Sequence, residues 1–419
     1  MQKKLLIALL GITSVTMGLT GCGFGGDAIT KTSTVQSPMR LNPEEFRADG
    51  VSKKQVLVSF KAGAAGATRT ADFSAFERRN GVKVKRSLSS INSAVVTISG
   101  DPEAFVAKLR RDASVAHAEL DRALLMDDVK VNDPSRGQQY ALDTVNADAA
   151  WGKTMGSEKV TIAIVDSGLD LDHPDLKGKL VPGYNSVTPG QAPKDDVGHG
   201  THVAGIAAAS TNNGVGIAGL AANSKIMPIK VLGDGTGSAG SVADGIIWAA
   251  DHGADVINMS LGFYDENETL GKAVAYALEK KVVIVATMGN NNIERKRFPA
   301  AFPGVIAVGS TAKGDARSNF SNFGNWMSVS APGSDILSTF PSYPVSIGGG
   351  KDGYASLSGT SMAAPLVAGL CGLIRSQHPG MAPAEVKKIV EASTADLGDK
   401  GYDKYFGNGR IDAFQAVSK

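Results

Sequence analysis

The sequence predicts an α/β protein with a doubly wound, mostly parallel sheet, preceded by a small α+β domain. Beyond residue 150, short and continuously apolar strands alternate with amphipathic helices, which is typical of a parallel sheet covered on both faces. The chain has 419 residues, of which 42% are apolar and 20% charged. That length and composition allow one large globular domain and a smaller one.

The elements of the large domain alternate regularly. Strands are predicted at 160–165, 225–232, 256–260, 282–287 and 305–310, and helices at 202–210, 241–251, 270–279, 361–377 and 383–391. Ligands of such sheets bind at the carboxyl ends of the strands. Asp166 directly follows the first of these strands, so we expect it at the functional edge of the sheet.

Residues 51–128 are predicted to form the smaller unit, with the order β-α-β-β-α-β. Its clearest elements are strands at 55–60, 94–98 and 115–126 and helices at 72–79 and 101–112. Residues 51–126 hold 13 basic and seven acidic side chains, whereas residues 127–419 hold 25 basic and 30 acidic ones. Opposite net charges favour docking of the two units. Two ordinary domains whose charges have no role in docking are the alternative.

The N-terminus is predicted to be a targeting segment. Lys3 and Lys4 precede an apolar run at 5–10, and Leu19-Thr-Gly-Cys22 follows. This pattern is similar to a bacterial lipoprotein signal, residues 1–22, cleaved before a Cys22 that is then lipidated. An ordinary secretory signal with an incidental cysteine is the alternative. Because Gly23 rather than Asp follows, the outer membrane is favoured in a cell with two membranes.

Residues 23–50 are rich in Ser, Thr, Pro and Gly and are predicted to be a flexible tether. A net charge of +2 gives no nucleic-acid signature, and no later apolar run reaches the 18 residues of a spanning helix. The second cysteine, Cys371, lies in an apolar helix and is predicted to be an inert core residue. An exported protein without a disulfide needs another source of stability, for which bound calcium is the candidate.

Three short motifs, far apart in the chain, carry the chemistry. They are Ala163-Ile-Val-Asp166-Ser-Gly, Gly198-His199-Gly-Thr-His202-Val-Ala-Gly205 and Ser358-Gly-Thr-Ser361-Met-Ala-Ala-Pro365. A serine hydroxyl needs an adjacent base to become a nucleophile, and a buried Asp can hold the tautomer of that base. We therefore predict Ser361 as nucleophile, His199 as general base and acid, and Asp166 as the group that orients it. Without the other motifs, the alternative for Ser361 is an ordinary helix N-cap, and the alternative for Asp166 is a cap at the end of a strand.

His202 raises the alternative of a zinc pair with His199. We expect a helix to begin between the two histidines, and no Glu or Cys ligand set is near them in the sequence. Zinc is therefore disfavoured, and His202 is predicted to be a packing residue.

The three motifs, in the order Asp, His, Ser, resemble the active-site motifs of the subtilisin-like serine protease family, nearest its thermitase branch. The resemblance runs from about Pro134 to the C-terminus. It implies a catalytic domain at 129–419 and an inhibitory propeptide at 51–128 that occupies the cleft and is removed within 126–134. The implied protein is a monomeric serine endopeptidase, made as a zymogen and acting on proteins or peptides.

The resemblance also implies which residues hold the substrate. Asn290, after the buried strand at 283–287, matches the oxyanion donor, although a Gly-Asn pair also suits a plain turn. The segments that resemble the substrate-binding walls contain Gly235, Gly237, Ser260, Leu261 and Gly262. Phe298-Pro299-Ala300 resembles the rim of the first specificity pocket, with an expected cis bond before Pro299. Arg297 precedes this segment. If its side chain faces the pocket, it would favour an acidic side chain of the substrate there. The alternative is that Arg297 points into solvent.

Calcium is implied by the family's metal loop. The matching stretch runs over residues 211–217, and Asp175 and Asp133 match its more distant carboxylates. The proposed ligands within the loop are Thr211, Asn213, Val215 and Ile217. Oxygen donors are the ligands that calcium takes, while a solvated Asn-Gly turn is the alternative.

Two other classes of function compete with this interpretation. One is a catalytically silent surface-binding module on the same fold, which would not need Asp166, His199, Ser361 and Asn290 together. The other is an esterase, but α/β-hydrolases carry Gly-x-Ser-x-Gly and the order Ser, Asp, His. We expect an exported enzyme, anchored in the envelope through lipid on Cys22, or secreted after the propeptide is removed.

Overall fold

The computed structural model describes residues 45–47, 49, 51–61, 73–123, 129, 131–348, 350 and 352–419. All of the described residues belong to one compact unit. The predicted signal with Cys22, most of the tether, and Asp127-Asp128 lie outside the described residues.

The smaller domain has the predicted order of elements. They are β1 Val51–Phe60, α1 Ser74–Asn80, β2 Lys83–Leu88, β3 Ser93–Thr97, α2 Pro102–Leu109 and β4 Val115–Arg122. The four strands form an antiparallel sheet in the order β2-β3-β1-β4. Both helices bury apolar side chains in its core, including Phe76 and Leu109. Asp101 caps α2 by accepting the Ala104 N–H at 2.9 Å.

A nine-stranded sheet forms the centre of the larger domain. Its strands are β5 Thr161–Asp166, β6 Tyr184–Asn185, β7 Lys225–Lys230, β8 Val256–Met259, β9 Val283–Thr287, β10 Ile306–Thr311, β11 Val329–Pro332, β14 Thr394–Ala395 and β15 Arg410–Ile411. Their order is β14-β15-β11-β10-β9-β8-β5-β7-β6. All pairings are parallel except that of β14 with β15. A separate hairpin joins β12 Ile336–Thr339 to β13 Tyr354–Leu357.

Helices cover both faces of this sheet, which confirms the predicted fold class. They are α3 Tyr140–Thr144, α4 Ala147–Trp151, α5 His199–Ala208, α6 Ala239–Asp251, α7 Glu268–Glu279, α8 Thr360–Gln377, α9 Pro383–Glu391 and α10 Ala413–Ala416. Side chains of β5 alternate between two cores. Ile162 and Ile164 join the core beneath α5 and α8, whereas Ala163 and Val165 join the one beneath α6 and α7.

The direction of strand addition reverses at β5. β7 pairs with one edge of β5 and β8 with the other, so the connections that follow β5 lead to opposite sides. In open parallel sheets, such a switch point leaves a crevice at the carboxyl ends of the strands. Asp166, the last residue of β5, lies at this crevice.

One predicted helix boundary is wrong, and it concerns the two histidines. Helix α5 begins at His199, so His199 and His202 lie on the same helix and not on either side of its start. Gly198 has a φ of 101°, a left-handed conformation that only glycine adopts without strain. The chain can therefore turn directly into the helix at His199.

The other predicted large-domain elements agree to within a few residues, and the Phe298–Pro299 bond is cis as expected. The short strands β6, β11 to β15 and the short helices α3, α4 and α10 were not predicted. Within the described residues, no helix combines the length and apolarity needed to cross a membrane.

Candidate active site

Asp166 and His199 form a hydrogen-bonded pair at the crevice. The Asp166 side chain is fully buried, and its Oδ1 lies 2.8 Å from Nδ1 of His199 and 2.8 Å from the Ser167 N–H, which donates to it. A carboxylate only accepts hydrogen bonds, so Nδ1 carries the proton. Nε2 therefore keeps its lone pair and can accept a proton from a hydroxyl group.

Asp195 holds the turn that leads into His199, a role that the sequence reasoning missed. Its buried carboxylate accepts hydrogen bonds from the N–H groups of residues 197, 198 and 201 and from two hydroxyls, those of Ser167 and Thr201. Its position gives no capping signal in the sequence, because it lies four residues before the start of α5 and Gly198 occupies the N-cap position. The neighbouring Asp196 pairs with Lys230 at 2.7 Å, so both carboxylates already have partners.

The two histidines of α5 differ in their proton affinity. Burial alone would lower the pKa of His199, but the charge of Asp166 and its hydrogen bond outweigh this effect and raise the pKa above 6.5. Burial lowers the pKa of His202 to about 3, and its Nε2 donates to the Ala355 carbonyl at 3.0 Å. His202 is thus a neutral packing residue, and of the two histidines of α5 it is His199 whose pKa is raised.

Ser361 is the second residue of α8 and lies beside the segment that follows β8. Its hydroxyl donates to the Ser260 carbonyl at 3.2 Å, and the Ser260 hydroxyl in turn donates to the Ser361 carbonyl at 2.9 Å. Within the described part of the chain, no hydrogen bond joins Ser361 to His199. The structure therefore fixes the backbone of Ser361 at the crevice while its hydroxyl points at Ser260.

The orientation of the Asn290 side chain is fixed by its neighbours. Its Oδ1 accepts the backbone N–H of Thr360 at 2.9 Å and the Thr360 hydroxyl at 2.7 Å. Since a backbone N–H can only donate, the oxygen must face Thr360 and the amide nitrogen must face the other way. A Cβ built on Gly359 would lie 3.1 Å from Nδ2 of Asn290 and 3.6 Å from the Ser361 nitrogen. These two donors therefore flank one small space.

The predicted substrate-binding segments lie in two places. Ser260, Leu261 and Gly262 follow β8, touch Ser361 through Ser260, and continue into an antiparallel bridge between Phe263 and Phe298. Gly235 and Gly237 lie in the loop between β7 and α6. A Cβ on Gly237 would meet Val231 and Leu232, and none of the described contacts of this loop reaches Ser361.

Asp133 and Asp175, both buried, converge on Asn213 in the predicted calcium loop. Asp133 accepts the N–H groups of Asn212 and Asn213, and Asp175 accepts from the Asn213 amide at 3.0 Å, the Ile217 N–H and the Tyr354 hydroxyl. Burial raises the pKa of Asp175. Among the described residues, no group of three His, Cys, Asp or Glu side chains is placed to hold a metal, so amide and carbonyl oxygens would have to complete the site.

Three other predicted metal ligands lie on the same loop. The Thr211 hydroxyl donates to the Ala209 carbonyl at 3.2 Å, Val215 donates its N–H to Asn213, and Ile217 is fully buried. The loop and the two carboxylates carry oxygen atoms of the kind that calcium takes, while the groups that face the carboxylates in this structure are N–H and hydroxyl donors.

Comparison with known proteins identifies the family of both domains. Residues 157–409 match the model of the subtilase family, and residues 52–121 match that of the fervidolysin N-terminal prodomain. A thermophilic serine proteinase of Bacillus sp. (strain AK1) is 42% identical over 320 residues, covering 76% of this chain and 77% of its own length. Thermitase of Thermoactinomyces vulgaris is 44% identical over 288 residues, covering 68% of this chain and 98% of its own.

A solved structure extends the similarity across both domains. The chain matches the crystal structure of fervidolysin from Fervidobacterium pennivorans with a TM-score of 0.63 and 28% sequence identity. Fervidolysin is described as a keratinolytic enzyme related to subtilisin. The match covers 90% of this chain and 62% of that one. The fold and the site thus define a serine endopeptidase made with a prodomain. The chain belongs to the subtilase family, near its thermitase branch.

The space between the two donors can be tested with Gly359→Ala. Gly359 has a φ of 162°, which any residue adopts, so the added methyl group tests the space and not the backbone. We expect kcat to fall roughly a hundredfold, as is typical when one such donor is lost, with the melting temperature little changed. Steady-state kinetics and thermal melts check this, and unchanged kcat would contradict the assignment of the space.

The raised pKa of His199 predicts the acid limb of activity. A protonated imidazole cannot accept a proton, so kcat/KM should fall as pH decreases through the pKa of His199, with a midpoint above 6.5. His202, with a pKa of about 3, does not titrate in this range. The measurement is a pH profile on a peptide without ionisable groups, and a midpoint below 6.5 would contradict the prediction.

Proposed function

We propose that Asp166, His199 and Ser361 form the catalytic triad of this endopeptidase. The observation that carries the proposal is the 2.8 Å contact between Asp166 and His199, which leaves Nε2 of His199 as a proton acceptor at the crevice that also holds Ser361. The proposal requires the Ser361 hydroxyl to leave the Ser260 carbonyl and donate to Nε2. This move requires only that the Ser361 side chain rotate from one staggered position to another.

In the proposed reaction, Ser361 Oγ attacks the substrate carbonyl carbon while its proton passes to Nε2 of His199. The carbonyl oxygen becomes negative and is stabilised by the Asn290 amide and the Ser361 N–H at the start of α8. The peptide C–N bond then breaks, and His199 returns the proton to the leaving amine. Water repeats the sequence on the acyl-enzyme and releases Ser361. Asp166 holds the imidazole and balances its transient positive charge.

We further propose the domain limits and the route of export. The prodomain (residues 51–128) occupies the cleft of the domain at 129–419 until the chain is cut within 126–134. The signal at 1–22 directs lipidation of Cys22, and the tether at 23–50 links the lipid to the prodomain. Since the lipid lies on the prodomain side of the cut, the mature enzyme would stay at the envelope only by non-covalent contacts.

Calcium is proposed as a structural ligand of the loop at 211–217. Asp133 and Asp175 would supply charge, and Asn213 and backbone carbonyls would supply the remaining oxygens. When bound, the cation stabilises the folded loop. Both buried carboxylates already lie on either side of Asn213, which supports the proposal.

Ser361→Ala tests the triad through maturation. We expect the wild-type chain, purified from the exported fraction, to lose its residues up to about 130. The Ser361→Ala chain should keep them, because its nucleophile is absent. Intact mass spectrometry in calcium-containing buffer distinguishes the two forms. If both chains stay full length and a serine-directed inhibitor labels neither, the proposed activity fails and a binding module is favoured.

The same mass measurement tests the lipid. The unprocessed Ser361→Ala chain should begin at Cys22 and exceed its calculated mass by the acyl groups, and the additional substitution Cys22→Ser should remove that excess. An unmodified chain starting at another residue would contradict lipidation while leaving the triad unaffected.

Calcium removal should lower the melting temperature of the enzyme. A ligand at about 100 times its Kd contributes about 2.7 kcal/mol, or roughly 5–10 °C. We expect Asp175→Asn to abolish most of this calcium dependence. Asp172→Asn, at an exposed position three residues before Asp175, should retain it. Melting curves with calcium and with a chelator check the prediction. Equal calcium dependence in both variants would contradict the site.

A further inference from the structure

The side chain of Arg297 lies between the two segments that flank Ser361. A Cβ on Gly262 would stand 2.6 Å from its Nε, and a Cβ on Gly289 would stand 2.8 Å from its Nη1. Gly262 is two residues beyond Ser260, whose carbonyl accepts from Ser361, and Gly289 directly precedes Asn290. The guanidinium group therefore occupies a slot beside the nucleophile, and only glycine leaves room for it on these two sides.

The charge of Arg297 is not balanced within the described part of the chain. No described carboxylate lies within ion-pair distance of it, and its Nε is buried without a hydrogen-bond partner. Its described aromatic neighbour is Tyr264, with the guanidinium carbon 5.6 Å from the ring centroid. Burial lowers the pKa of Arg297. Arg297 as a whole is partly buried, but its buried Nε lacks a hydrogen-bond partner, which is unfavourable, so the slot favours a ligand that supplies an acceptor with a negative charge.

Arg295 provides an internal contrast. Its guanidinium carbon lies 4.7 Å from the centroid of the Tyr264 ring, but Arg295 is exposed and pairs with Asp265 at 3.4 Å. Two arginines thus contact one tyrosine, yet only the one in the slot has no carboxylate partner among the described residues. Arg295 is therefore the matched control for the charge of Arg297.

We propose that Arg297 selects an acidic side chain, Asp or Glu, at the substrate residue whose carbonyl group is attacked. The inference rests on the proposed function: that carbonyl lies between Ser361 and Asn290, so the side chain next to it enters the slot walled by Gly262 and Gly289. A carboxylate there pairs with the guanidinium through charge-assisted hydrogen bonds. A cationic side chain would meet like charge, and a large apolar one would leave Nε unpaired.

The sequence contains a matching site at the proposed maturation boundary. Asp127 and Asp128 are adjacent acidic residues within the segment 126–134. An enzyme that cuts after an acidic residue would cleave its own chain after one of them. The specificity of the slot and the position of maturation would then follow from the same guanidinium group.

Peptides that differ in one residue test the slot directly. The residue before the cleaved bond is Glu, Gln, Phe or Arg, and kcat/KM is measured with the mature enzyme and with Arg297→Gln, Arg297→Glu and Arg295→Gln. We expect the wild type to prefer Glu over Gln by about tenfold to a hundredfold, the range of hydrogen bonds to charged groups. Arg297→Gln should bring that ratio near one, Arg297→Glu should favour Arg, and Arg295→Gln should retain the wild-type ratio.

Hydrolysis of casein by the same preparations separates the possible failures. If the wild type hydrolyses casein but its Glu to Gln ratio is near one, or if Arg297→Gln keeps the wild-type ratio, the specificity is overturned and the proposed function stands. If the wild type hydrolyses neither casein nor any peptide, the proposed function fails, and this inference fails with it.

Maturation provides a second, independent readout. The inactive Ser361→Ala chain is offered as substrate to the mature enzyme, with and without the substitutions Asp127→Asn and Asp128→Asn. We expect a new N-terminus at Asp128 or Val129, and slower cleavage when both aspartates are replaced. Cleavage after a neutral residue at an unchanged rate would count against the acidic preference.

Discussion

The site depends on one buried charge at the end of a parallel strand. Asp166 has no exposed surface, and an ionised carboxylate in that position is costly unless it is paired. His199 supplies the partner, at 2.8 Å, only because α5 begins at that residue. The start of α5 is in turn fixed by the turn at Gly198 and by the carboxylate of Asp195. The proposed general base is thus positioned by the same contacts that make burial of Asp166 tolerable.

The second half of the site is built by close packing between helices. Helices α5 and α8 lie on the same face of the sheet, and a Cβ on Gly369 of α8 would stand 2.8 Å from the Ala207 carbonyl of α5. Their backbones can approach only because small residues line the contact. This approach brings the first turn of α8, with Ser361, to the edge where α5 begins with His199. Gly369, which follows the Ser361 motif on α8, therefore has a packing role that helps to set the position of the motif.

Much of the architecture could be predicted because apolar strands and amphipathic helices have clear periods. The catalytic motifs were recognisable because small residues must surround them. What the sequence did not reveal depends on distant contacts: short strands such as β6 gain their partners only in the folded sheet, and Asp195 looks like any acidic loop residue until its five donors are assembled. The sequence left two orientations open for Arg297, and the walls at Gly262 and Gly289 become neighbours only through folding.

The fully buried Asp166 and the partly buried Arg297 differ in whether they already have a partner, and this difference decides how each can act. Asp166 is already paired with His199 whether or not a substrate is bound. It therefore orients the imidazole and does not distinguish one substrate from another. Arg297 has no carboxylate partner among the described residues, so a substrate that supplies one gains an interaction that competing substrates lack. If the carboxylate pairs equally in the bound substrate and the transition state, that gain lowers KM rather than raising kcat. We therefore propose that Arg297 discriminates between substrates and that Asp166, through His199, supports the chemical step.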